Sequence, residues 1–147
     1  MCGSPGAVVM SAIATAVTFV WLGMVLAISF LEAPLKFRAP GVTLPIGVGI
    51  GRLVFGALNR VEIALAAVLL VTVILGDRSA GVGSSTALVL VLLVVQLAVV
   101  RPRLNRRSDR VLAGETAPRS RDHVVYIGLE VAKVIALVLI GAFLLAL

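Results

Sequence analysis

The chain is written in long apolar blocks separated by short polar stretches. Ala7–Leu31, Ile63–Gly76, Gly81–Val100 and Val124–Leu147 contain no aspartate or arginine, and their only glutamate and lysine are Glu130 and Lys133. A helix needs roughly 20 mostly apolar residues to cross a hydrocarbon core of about 30 Å. Three blocks reach that length alone, and the second does so when its helix begins upstream, near Phe55. Runs such as Ala87 to Val95 are apolar at every position. They show neither the alternation of a barrel strand nor the single stripe of a water-facing helix. In lipid the backbone must satisfy its own hydrogen bonds, so even valine-rich blocks are helical. The pattern predicts an all-α polytopic membrane protein, a single domain of four transmembrane helices in an antiparallel bundle. The spans fall at about 7–31, 55–76, 81–100 and 124–147.

The stretches between the blocks set the connections. Segment 32–52 is a proline-containing loop in which Thr43 and Pro45 mark a helix start. Residues 77–85 form a Gly/Ser turn, and Pro102 marks the end of span three, leaving 101–123 as a polar loop. The first block follows a segment without Lys or Arg and is far longer than the apolar part of a signal peptide, so it reads as a retained span.

Composition and charge sharpen this. At 61% hydrophobic residues the chain has too little polar surface for an ordinary water-soluble domain. The net charge of +6 is unevenly placed. Lys36, Arg38 and Arg52 fall in or beside the first loop. Arg101, Arg103, Arg106, Arg107, Arg110, Arg119 and Arg121 fall in the third, and the opposite side has only Arg78. The positive-inside rule therefore predicts a bacterial inner-membrane protein with loops one and three cytoplasmic and both termini outside. Arg101, Arg103, Arg106, Arg107 and Arg110 are expected to meet anionic lipid headgroups. Loop three carries no aromatic platform for base stacking, so nucleic acid is not an expected partner.

Ionisable residues at membrane depth are costly and need partners. Asn59, Arg60 and Glu62 fall in the first turns of span two, Glu130 and Lys133 in those of span four, Gln96 one turn before the end of span three, and Glu32 at the end of span one. All lie near one leaflet. Helical spacing puts His123, Tyr126, Glu130 and Lys133 on one stripe of span four. Arg52, Gly56, Asn59 and Ala66 share a face of span two, with Glu62 at its edge. Lys133 can pair with Glu130 one turn away or with Glu62 across helices, and spacing alone allows both. The candidate cluster is therefore Glu32, Asn59, Arg60, Glu62, Gln96, His123, Tyr126, Glu130 and Lys133. With Arg60 and Lys133 set against Glu62 and Glu130, the buried set is neutral, which points to charges that fix helix register. The other reading is a proton- or ion-linked polar site. Small residues add a packing pattern: Ala12, Ala16, Gly23 and Ala27 share a face of span one, and Gly47, Gly51 and Gly56 recur along span two, where backbones can approach closely.

No catalytic constellation is present in the sequence. There is one cysteine, Cys2, and one histidine, His123, and neither sits in a metal-binding spacing. The glycine run Gly47 to Gly51 lacks the Lys-Ser/Thr of a phosphate loop. No cofactor, metal or catalytic residue is expected. The expected function is a structural, accessory or assembly component of the membrane, as a homo-oligomer or with a partner subunit. The alternative is a small oligomeric proton- or ion-linked permease or channel.

Three segments carry a resemblance: Ser29 to Phe37 (SFLEAPLKF), Gly51 to Glu62 (GRLVFGALNRVE), and His123 to Glu130 (HVVYIGLE) after the basic loop. In this order of parts the chain resembles the small bacterial four-span proteins related to the transmembrane protein 205-like family, a group without an established biochemical activity. The resemblance implies a four-helix membrane fold and a membrane location, and no reaction.

Overall fold

The computed structural model describes residues 3–76, 78–116 and 121–146. Four helices are long and apolar enough to cross a membrane: α1 (Pro5–Arg38), α2 (Leu44–Leu75), α3 (Ala80–Leu112) and α4 (Arg121–Leu145). The described residues contain no strand. The protein is all-α, as the apolar blocks require.

Local chemistry sets the helix starts. Ser4 caps α1, its side chain accepting from the Ala7 amide, with Pro5 in the first turn. Ser79 caps α3 in the same way through the Val82 amide. Thr43 occupies the cap position of α2 without a side-chain bond, and Pro45 supplies the preset first turn.

The helix ends differ from the sequence expectation. In segment 32–52, α1 runs on through Pro34 to Arg38, whereas α2 begins at Leu44, where Thr43 and Pro45 placed its start. Pro102 does not end α3, which continues to Leu112, so half of segment 101–123 is helical. A proline inside a helix lacks an amide donor and collides with the carbonyl four residues back. Both helices accommodate this by widening into π-helical turns, Leu26–Glu32 before Pro34 and Gln96–Val100 before Pro102. The extra residue per turn moves the backbone out of the ring's way. What stops α3 is Gly114, at φ 83, where the Glu115 amide bonds back to the Arg110 carbonyl.

Neighbouring helices run antiparallel. α1 packs against α2 and α4, α4 against α3, and the extension of α3 beyond Val100 against α2. α2 and α4 are thus parallel and diagonally opposed across the bundle. The core between them is apolar for much of its length, built from Ala14, Val25, Leu69, Val89, Ala136, Leu137 and Ile140 among others. The outer surface is apolar too, with Val20, Leu53, Ile74, Val91 and Ile135 all exposed. Apolar side chains both inside and outside are what a lipid surround selects.

The glycine and alanine patterns part company. Gly47 and Gly51 are buried, Gly47 beneath the Phe37 ring and Gly51 with the Lys36 ammonium 2.8 Å from where a Cβ would stand. Gly56 is half-buried beside the Arg101 guanidinium. These glycines receive side chains of α1 and α3 rather than another helix backbone. Ala12, Ala16, Gly23 and Ala27 face outward and do not pack within the bundle. The inward face of α1 is Ala14, Thr18, Trp21 and Val25.

Candidate functional site: a buried carboxyl–lysine–carboxyl cluster

Lys133 sits at the centre of the site. Its side chain is wholly buried and reaches across the bundle diagonal. Nζ donates to Glu62 Oε1 at 2.5 Å and to Glu130 Oε1 at 2.9 Å. Both pairings allowed by the sequence spacing therefore occur at once. Glu62 and Glu130 are equally buried.

The remaining helices supply donors. The Trp21 indole of α1 donates to Glu62 Oε1 at 2.9 Å. Ser29, in the π turn of α1, donates to Glu130 Oε2 at 2.9 Å. Gln96, in the π turn of α3, donates through Nε2 to Glu130 Oε1. Each widened turn therefore delivers one polar side chain to the same carboxylate. Two charged groups on α4, one on α2 and donors from α1 and α3 join all four helices at one depth.

That depth follows from the helix rise. Glu62 is about 20 Å from the Leu75 end of α2, and Lys133 about 18 Å from the Leu145 end of α4, at 1.5 Å per residue. In a core of about 30 Å the cluster lies past the midpoint, in the half nearer the basic segments.

α2 and α4 keep a constant offset around the site. The Glu62–Lys133 pair is separated by 71 residues. So is the Phe55–Tyr126 pair, whose rings meet edge to face at 5.5 Å. The same offset sets Asn59 level with Glu130. Tyr126 is buried beside Gln96, and Asn59 is buried as well.

Three of the nine expected cluster residues lie elsewhere. Arg60 and His123 are exposed on the outer surface. Glu32 pairs with Lys36 at 3.4 Å, and Lys36 in turn lies 5.4 Å from the centre of the Phe55 ring. With Arg60 outside, the neutral set expected from sequence does not form. The buried core holds two carboxyls against one ammonium. Trp21 and Ser29 are the members that spacing did not single out. A buried indole needs a partner for its N–H, and that requirement was the signal available for Trp21.

A second polar group caps the basic end. Arg52 pairs with Asp109, and Arg101 donates to the Arg52 carbonyl at 3.1 Å, which fastens the α3 extension to α2. Val111, in the same extension, is buried. Arg110 pairs with Glu115 at 3.0 Å, and Arg103 lies 3.7 Å from Asp122. Cys2, Arg119 and Leu147 lie outside the described residues.

Compared with protein-family models, curated proteins and solved structures, the chain matches none of them.

Proposed function

We propose that the protein is a structural or accessory component of a bacterial-type inner membrane, not an enzyme, whose buried cluster fastens four helices at one depth. The observation that carries this reading is the direct bonding of Trp21, Glu62, Gln96, Glu130 and Lys133 across all four helices. Two surface clefts lie toward the opposite end of the bundle, one lined by Met10, Ile13 and Val71 and one by Ser4, Met10 and Leu75. Inside lipid, helices gain little from apolar contact with each other, so interhelical polar bonds and close packing decide the arrangement. Both oxygens of Glu130 and one oxygen of Glu62 are held by donors from the neighbouring helices, as a fastening role requires.

In this reading the basic ends of α1 and α3 face the cytoplasm and both termini face out. The extension bearing Arg101, Arg103, Arg106, Arg107 and Arg110 meets anionic lipid headgroups. A homo-oligomer or a partner subunit belongs to the same proposal, because the outward Ala12, Ala16, Gly23 and Ala27 leave close backbone approach open to another helix. A four-helix membrane fold is also what the resemblance to the transmembrane protein 205-like proteins implies.

One observation favours a second reading, a proton- or ion-linked permease: the cluster has one carboxyl more than its lysine balances. Glu62→Gln and Glu130→Gln separate the two. The structural reading predicts that both variants unfold earlier in detergent and that liposomes carrying the wild type show no proton or cation flux above empty vesicles. Flux in the wild type that both substitutions abolish, with folding intact, overturns it in favour of the permease.

A further inference from the structure

The extra carboxyl has an address. Among the hydrogen bonds of the triad, Glu62 Oε2 is the one carboxylate oxygen that is buried without a partner. Counted as two carboxylates and one ammonium, the triad has charge −1 in a low-dielectric interior, where unbalanced charge is expensive. One proton on a carboxyl makes it neutral.

Three further buried polar atoms near the triad lack partners: Asn59 Oδ1, Gln96 Oε1 and the Tyr126 hydroxyl. They are not scattered. Asn59 is one turn from Glu62 on α2, toward the basic end. Gln96 already holds Glu130. Tyr126 is one turn from Glu130 on α4, again toward the basic end, and lies beside half-buried Arg101. By their places on α2, α3 and α4 they stand at the levels between the basic end of the bundle and Glu62. In the other direction the next buried layers are Ala66, Leu69, Val89, Ala136, Leu137 and Ile140. The unpartnered Thr86 hydroxyl stands at the far edge of these layers, level with Ile140 and ten residues or about 15 Å along α3 from Gln96, and the buried Thr18 hydroxyl among them is bonded to the Ala14 carbonyl. Unpartnered Arg78 lies farther still, at the turn between α2 and α3.

We propose that Glu62 Oε2 is a proton-binding site loaded from one side of the membrane only, the side of the basic segments, through Tyr126, Asn59 and Gln96. One proton leaves water on that side and binds the carboxylate, taking the triad from −1 to neutral. It returns by the same groups, and nothing is oxidised or reduced. Glu62 is bonded to Trp21 of α1 and Lys133 of α4; the other titratable groups near it are Glu130, itself held by Ser29 of α1 and Gln96 of α3, and Tyr126, which lies beside Arg101 of α3. The Glu32–Lys36 pair lies one layer further out, against Phe55. This goes beyond the fastening role and requires no transport.

Trp21 makes the site readable. It is the chain's single tryptophan, and its indole donates to Glu62 Oε1. The full chain is reconstituted in liposomes of uniform orientation, fixed by single-cysteine labelling, and pH is stepped on one side at a time with impermeant buffers. Expected is a one-proton change in Trp21 emission between about pH 4 and pH 10 when the basic-segment side is titrated, and none when the other side is. Glu62→Gln abolishes the change, while Glu62→Asp keeps it with a moved midpoint. Tyr126→Phe and Asn59→Leu slow the response to a pH jump by on the order of tenfold and leave the end points in place. Equal response from both sides overturns the proposal, as does a response that survives Glu62→Gln or no response at all. If Glu62→Gln loses its helical circular dichroism, the sidedness of the wild type and the Tyr126→Phe kinetics decide the matter alone. Flux measurements test the fastening role separately, since one-sided loading without flux satisfies both readings.

Discussion

At the scale of single residues, the account depends on Lys133. An ammonium buried between two carboxyls is tolerable only while both stay in contact, because its own desolvation is unfavourable. Lys133→Met leaves two facing carboxyls with no cation. It is expected to cost about 3–5 kcal/mol of bundle stability, read as earlier unfolding in a denaturing-detergent titration. Trp21→Phe keeps most of the volume and removes one donor from Glu62, so it is expected to cost less, about 1–3 kcal/mol in the same titration. Glu62, Glu130 and Lys133 were legible in the sequence because a charge inside an apolar block has to find a partner. Arg60 misled. It is two residues from Glu62, some 200° around the helix at about 100° per residue, so the two cannot share a face. Trp21 and Ser29 were hard to read because an indole or a hydroxyl within an apolar block is ordinary, and only its tertiary partner makes it part of a site.

At the scale of elements, the four spans were visible in the apolar blocks and Thr43 and Pro45 marked the start of α2, but the ends of α1 and α3 were not legible. Pro34 and Pro102 look like stops in one dimension. The π turns that absorb them depend on what each helix gains by continuing, and that gain is tertiary. For α1 it is the seat of Phe37 and Lys36 on Gly47 and Gly51. For α3 it is the burial of Val111 and the Arg52–Asp109 pair on α2. Val111→Asp is therefore expected to release the extension: amide exchange over 101–112 rises while the exchange of 80–95 stays slow. The Arg52–Asp109 pair is half to largely exposed and is worth little on its own, about 1 kcal/mol at most, so Asp109→Ala is expected to leave the extension docked in the same exchange experiment. Pro102 also sets where Gln96 points. Pro102→Ala lets a regular α-turn replace the widened one, which rotates Gln96 away from Glu130. The expected readout is partial loss of the stability that Gln96→Leu removes in full.

At the scale of the whole molecule, two parallel helices on one diagonal are tied together by the cluster, and their antiparallel neighbours are tied in through Trp21, Ser29 and Gln96. The orientation proposed for this bundle is open to a direct check. A cysteine placed at Arg106 is expected to resist an impermeant maleimide added outside intact cells, and one placed at Ser4 to react, with Cys2 replaced in both. The claim that matters most is that Glu62 and Lys133 hold the bundle together by touching each other. A double-mutant cycle of Glu62→Gln and Lys133→Met, read as unfolding free energy in lipid bicelles, measures that contact. A coupling of about 2 kcal/mol or more is predicted for two buried charges in direct contact. Effects that add to within about 0.5 kcal/mol would mean that the two side chains act independently, and would contradict the account.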